Sequence, residues 1–126
     1  MISASTSRLV GFAGASLFAA IAAATLVPAG WQMRLGLHWL IEHFLAYFVL
    51  TTMFCLAWRR PMAVAAVLLP VAILLEASQG LTPDRTADAA TALSAATGVA
   101  VAALLTDLVI AWQQKARIGP AAGPKA

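Results

Sequence analysis

The chain has 126 residues, 62% hydrophobic and 10% charged, with a formal net charge of +3. A soluble domain carries about 25% charged residues, so this chain has too few polar groups to cover a globular surface, and its length limits it to one domain. The basic residues are scattered around apolar runs, which argues against nucleic acid, and the single cysteine, Cys55, excludes an intrachain disulfide and a cysteine-rich metal site.

Four apolar stretches follow in chain order, each with roughly the 20 residues needed to cross about 30 Å of hydrocarbon. The first runs from about Leu9 to Val27 without a charge. Arg8 before it and Val27-Pro28-Ala29 after it give it some likeness to a signal peptide. Its apolar core is longer than the roughly 7–15 residues usual there, so it is read as a retained membrane helix. The second stretch runs from about Leu35 to Trp58 and carries His38, Glu42 and His43. The third runs from about Met62 to Leu81 and carries Glu76 and Gln79, with Pro70 predicted to kink it. The fourth runs from about Ala89 to Trp112, with Asp107 near its end, and residues 113–126 form a basic cytoplasmic tail.

Lipid offers a backbone no hydrogen-bond partners, so these spans are helices. The short connections Pro28–Arg34, Trp58–Pro61 and Thr82–Asp88 fold them into an all-α, antiparallel four-helix bundle in the membrane. Orientation follows from Lys and Arg. With the N-terminus inside, Arg8, Arg59, Arg60, Lys115, Arg117 and Lys125 lie inside, and only Arg34 and Arg85 lie outside. That is a positive-inside bias, with both ends of the chain inside. Trp31 and Trp39 at the outer ends, and Trp58 and Trp112 at the inner ends, make an aromatic belt. The setting expected is a membrane crossed several times; in a bacterium the outer side is the periplasm or the cell exterior.

Small residues mark two contact stripes, Gly11, Ala15, Ala19 and Ala23 on the first helix and Thr91, Ala95, Gly98 and Ala102 on the fourth. Polar residues mark a site. Glu42 and His43 lie roughly 10 Å below the outer end of the second helix at about 1.5 Å per residue. Glu76 and Gln79 come from the third helix at a similar depth, with Asp84, Arg85 and Asp88 just above. Charges in a membrane are costly and face a bundle interior or a wet cavity. Glu42, His43, Tyr47, Glu76, Gln79, Arg85 and Asp88 are therefore the candidate ligand-binding residues. Each also has a structural reading: Glu76 with Arg85 as an ion pair that fixes register, and His43 with Tyr47 as an interhelical hydrogen bond. His38 and Arg34 are expected to reach for headgroups. Asp107 is expected to be solvated or paired with an arginine, and Cys55 to be core. Arg59, Arg60 and the basic tail are expected to set topology and touch anionic lipid.

The runs "EHFLAYFVL" from Glu42 and "EASQGLTPDRTAD" from Glu76 resemble the VanZ-like membrane proteins. The matching positions are His43, Phe44, Tyr47, Glu76, Gln79, Pro83, Arg85, Asp88 and Gly98, within about Glu42 to Ala102. Thr91 and Ala95 stand where that family commonly has a second Asp and an Asn. The resemblance implies a cell-envelope setting and a link to glycopeptide resistance of the teicoplanin type.

Three functional classes follow. The first is binding of an amphiphilic envelope ligand at the outer leaflet, a lipid or lipid-linked cell-wall precursor. In that reading Arg85 holds a phosphate or carboxylate, and Glu76, Gln79 and His43 line the headgroup pocket. The second is a small accessory subunit, a homo-oligomer or a partner to another membrane protein, whose polar cluster only braces the bundle. The third is an intramembrane enzyme using Glu42 or Glu76 with His43 as acid and base. It ranks last because no nucleophile motif lies in the cluster, and Ser78, the nearest hydroxyl, points about 160° away from Glu76 around the helix. No cofactor and no metal are expected.

Overall fold

The computed structural model of the chain describes residues 3–27, 29–31 and 34–119. Pro28 of the first connection and Lys125 of the tail lie outside the described residues. The described chain is helical, with no strand: α1 (Ala4–Leu26), α2 (Trp39–Trp58), α3 (Pro61–Ser78) and α4 (Ala89–Ile118), with short 3₁₀ turns at Ala29–Trp31 and Gln79–Leu81.

Local chemistry sets the helix ends. Ser3 opens α1 by accepting the Thr6 N–H at 3.2 Å, so the helix takes in Arg8 and starts before the uncharged run. Gly36 has φ +80, a conformation that breaks a helix, and α2 begins only after His38 accepts the Leu40 N–H at 3.4 Å. Residues expected in the second span from Leu35 are therefore loop. Pro61 takes the first position of α3, where its missing N–H costs nothing. That helix continues through Pro70 and tightens into the 3₁₀ turn at Gln79. Asp88 caps α4 by accepting from Ala90 N at 3.0 Å. α4 then runs past Trp112 to Ile118, taking in residues 113–118 of the expected tail.

All four helices are long and apolar enough to cross a membrane. Large apolar side chains cover their outward faces, among them Phe12, Val67, Leu74, Leu93 and Leu108. This is the build of a multi-pass membrane protein, since an apolar surface of that extent needs lipid around it.

The core lies between three helices. Tyr47 and Leu50 of α2 meet Ala65, Leu68 and Ala72 of α3 and Ala95, Val99 and Ala103 of α4. α2 and α4 are held in register along their length. Ser94 Oγ donates to the Leu40 carbonyl (2.5 Å) at one end, and Arg59 donates to Gln113 Oε1 (3.2 Å) at the other. Both pairs are 54 residues apart in sequence, so the two helices run side by side in the same direction. The same offset brings Trp58 level with Trp112. The expected stripe on α4 is this contact face: Thr91, Ala95, Gly98 and Ala102 are all buried.

α1 leans on α2 and runs the other way. Ser7 Oγ donates to the Ala57 carbonyl (2.5 Å) near the end of α2, and the Phe54 ring covers Gly14. The stripe expected on α1 differs. Gly11 meets Ala57, but Ala15, Ala19 and Ala23 are exposed. Gly14, off that stripe, is the buried contact.

Candidate functional site: a polar cavity at the start of α2

The start of α2, the end of α3 and the end of α1 enclose a cavity of about 180 Å³. Glu42, His43 and Tyr47 come to it from α2, Glu76 and Gln79 from α3 and its 3₁₀ turn, and Ile21, Ala24 and Thr25 from α1. Five of the seven candidate residues therefore share one cavity, and Arg85 and Asp88 stand beside it.

Glu42 has one oxygen committed. Oε1 accepts the N–H groups of Leu35 (2.9 Å) and Leu37 (3.2 Å), folding the loop back onto the first turn of α2. Among the described residues no hydrogen bond engages its other oxygen, and Glu42 lines the cavity. His43 has one ring nitrogen committed, which leaves a single tautomer for the neutral ring. Nδ1 lies 2.8 Å from the Trp39 carbonyl, and a carbonyl only accepts, so Nδ1 carries the hydrogen. Nε2 is then the ring nitrogen with a lone pair.

Tyr47 is 4% exposed. Among the described residues no group hydrogen-bonds its hydroxyl, which belongs to the cavity lining. The hydroxyl is not sealed off: it opens to the cavity, where a guest can partner it. Glu76, 6% exposed, accepts from Gln79 Nε2 at 2.9 Å, as the three-residue spacing on a helix permits. Its ionisable neighbours are His43, Asp88 and Arg85.

The loop after α3 is built on successive turn bonds. The N–H and hydroxyl of Thr82 both donate to the Gln79 carbonyl (3.1 and 2.7 Å), and Arg85 N donates to the Thr82 carbonyl (3.2 Å). This places the Arg85 guanidinium over the end of α1, where it donates to the carbonyls of Thr25 (3.0 Å), Val27 (2.6 Å) and Ala24 (3.5 Å). These are carbonyls that a helix end leaves without intrahelical partners. The guanidinium clamps α1, and its hydrogen bonds do not run to Glu76. Asp88 is spent on capping, since its second oxygen accepts from Thr91 Oγ1 at 3.1 Å. Thr91 and Ala95 are buried in the helix contact, where their small size serves packing.

Arg34 and Trp39 also line the cavity. Arg34 was expected to reach only for headgroups, yet it is the cation on the cavity wall. Its place four residues before His38 and eight before Glu42 is a signal that could have found it, although Arg34 is in the loop. Thr25, 8% exposed with Oγ1 donating to the Ile21 carbonyl (2.8 Å), closes the cavity from α1, and nothing in the apolar run around it signalled that. His38 is a helix cap stacked beside Trp39, with ring centroids 5.8 Å apart. Ser78 Oγ donates to the Leu75 carbonyl at 2.6 Å.

The cavity thus offers acceptors (Glu42, Glu76 and His43 Nε2) and donors (Tyr47 and Arg34). Among the described residues no group of three or more His, Cys, Asp or Glu is placed to hold a metal ion. Compared with family models, with curated proteins and with solved structures, the chain matches none.

Proposed function

We propose that the chain is a VanZ-like protein of the bacterial inner membrane, an antiparallel four-helix bundle with both ends inside. Its polar cavity binds the headgroup of a lipid or lipid-linked cell-wall precursor at the outer leaflet and so supports tolerance of teicoplanin-type glycopeptides. The observation that carries this reading is Tyr47, a buried residue whose hydroxyl opens to the cavity and has no hydrogen-bond partner among the described residues. A structural brace satisfies its own polar groups. A hydroxyl left open beside the imidazole of His43 and two carboxylates is arranged for a guest.

Size narrows the guest. Pockets for drug-sized ligands run from about 300 to 1,000 Å³, so 180 Å³ takes a hydroxyl- or amine-bearing fragment of a headgroup, with the apolar remainder in lipid. Arg85 is occupied on α1, so Arg34 is the cation available to a phosphate. Charge supports the orientation. Arg8, Arg59, Arg60, Lys115 and Arg117 gather at the end away from the cavity, which positive-inside topology assigns to the cytoplasm.

The test is drug tolerance beside stability. Tyr47→Phe and His43→Ala are expressed at matched membrane abundance, and both melting temperature and teicoplanin tolerance are measured. Binding predicts melting temperatures near or above the parent, because groups arranged for a ligand cost stability, with tolerance lost. If tolerance falls only where stability falls, the site is a brace. If the parent confers no tolerance on a susceptible host, the resistance reading is removed.

The accessory-subunit reading has its own support. Glu42, Arg85 and Asp88 each hold main-chain groups of neighbouring segments, as a purely structural cluster would. The enzyme reading gains nothing, because Ser78 is committed to a carbonyl within its own helix.

A further inference from the structure

A second concavity lies at the opposite end, and the polar cavity plays no part in it. α1 rests on α2 through Gly11 and Gly14 and makes little contact with α3. Phe18, Phe54 and Trp58 fill part of the wedge between them, leaving a groove of about 650 Å³ along α3. Its wall on α3 is Ala63, Val64, Val67, Leu68 and Val71, and Arg60 stands at one end.

We propose that this groove binds one anionic phospholipid, with an acyl chain along α3 and the phosphate at Arg60. Three observations carry it. The first is polarity: the lining is apolar except at the end where Arg60 and the Trp58 indole sit, so the groove is amphipathic along its axis. The second is charge. Arg8, Arg59, Arg60, Lys115 and Arg117 lie at this end of the fold, while four of the five acidic residues, Glu42, Glu76, Asp84 and Asp88, lie at the other with Arg34 and Arg85. Arg60 is exposed, and it caps α3 without a side-chain hydrogen bond. The first-turn amide of Ala63, a groove residue, is therefore open to an anion beside the guanidinium.

The third observation is dimension. Arg60 to Val71 spans about 16 Å at about 1.5 Å per residue, the depth of one leaflet of a hydrocarbon core about 30 Å thick. Spread over that length, the volume gives a mean cross-section of about 40 Å². A helix about 10 Å wide needs about 80 Å². The groove is therefore narrow along its length, which suits a flexible acyl chain.

The test is native mass spectrometry of the purified, detergent-solubilised full chain, titrated with dioleoyl phosphatidylglycerol or dioleoyl phosphatidylethanolamine. The expected result is one tightly retained phosphatidylglycerol and weaker phosphatidylethanolamine. Arg60→Gln weakens phosphatidylglycerol about tenfold, as loss of one charge-assisted contact does, and weakens phosphatidylethanolamine less, because its ammonium already offsets part of the attraction of the phosphate to the basic end. Val67→Trp obstructs the chain path and weakens both lipids. Val67 is 62% exposed, so this variant folds like the parent. Lys115→Gln, away from the groove, changes neither. Equal retention of the two lipids overturns the proposal. So does parental binding by Val67→Trp, or a loss in Lys115→Gln as large as that in Arg60→Gln.

Discussion

Gly98 lies against the main chain of Phe44: a Cβ added to Gly98 would stand 2.5 Å from the Phe44 carbonyl oxygen and 3.2 Å from the nitrogen of Phe48. Both neighbours are backbone, so neither can swing aside, and only separation of α4 from α2 would relieve the contact. Lipid tails are as apolar as the side chains, so helix association in a membrane depends on such close approach. Gly98→Ala is expected to destabilise the protein by about 1–3 kcal/mol, the usual cost of overpacking, seen as a lower melting temperature in detergent. Gly11→Ala, whose new methyl would meet Ala57 Cβ at an ordinary 3.7 Å, is expected to melt with the parent. Equal losses in the two variants would refute a tight α2–α4 contact centred on Gly98.

Arg85 reaches three carbonyls at the end of α1 from a loop 58–61 residues away in sequence. A guanidinium presents its donors in a planar fork, and an ammonium cannot span the same set. Arg85→Lys keeps the charge and is still expected to lose about 1.5–3 kcal/mol, the range for hydrogen bonds to charged groups. Hydrogen exchange checks the mechanism. Amides of residues 24–27 and of residues 82–88 should both exchange faster, because the clamp joins them. If only the loop loosens, Arg85 does not hold α1.

Much of the fold was legible because membrane helices leave strong marks. Apolar runs of spanning length gave all four helices, and the small-residue stripe gave the face of α4. The errors came from terms that hydropathy ignores. Gly36 and the His38 cap moved the start of α2 inward, Ser3 moved that of α1 outward, and α4 outran its apolar segment. At the site, spacing of three and four brought out Glu76 with Gln79 and placed His43 and Tyr47 on one face. The partners of Arg85 could not be read this way. Main-chain carbonyls at a distant helix end carry no side-chain signature, whereas Glu76 nearby did. Thr25 was hidden for the same reason, as one polar residue at the end of an apolar run.

Thr51 lies one helical turn from Tyr47 on α2, fully buried, and its hydroxyl is the one fully buried side-chain polar atom without a hydrogen-bond partner among the described residues. The desolvation cost of an unmade hydrogen bond is about 1–3 kcal/mol. Thr51→Val has nearly the same shape and removes that cost, so the melting temperature should rise. Thr52→Val is the contrast, because the Thr52 hydroxyl donates to the Phe48 carbonyl at 2.8 Å, and it should not stabilise. A lower melting temperature in Thr51→Val would show that its hydroxyl is satisfied in the protein.

Thr86 and Arg60 mark opposite ends of the fold, and both are exposed. Thr86 belongs to the loop that leads from the polar cavity into α4, and Arg60 to the turn between α2 and α3. The basic residues crowd the Arg60 end, and such residues stay in the cytoplasm. In a Cys55→Ala background, Thr86→Cys should react with a membrane-impermeant maleimide added to intact cells, and Arg60→Cys should react only after permeabilisation. Cys55 is itself fully buried, so its replacement removes background labelling without opening a surface. Labelling of Arg60→Cys in intact cells, with Thr86→Cys protected, would invert the protein. The polar cavity would then face the cytoplasmic leaflet, out of reach of an extracytoplasmic cell-wall precursor. The basic groove would face the outer leaflet, where positive-inside topology does not place it.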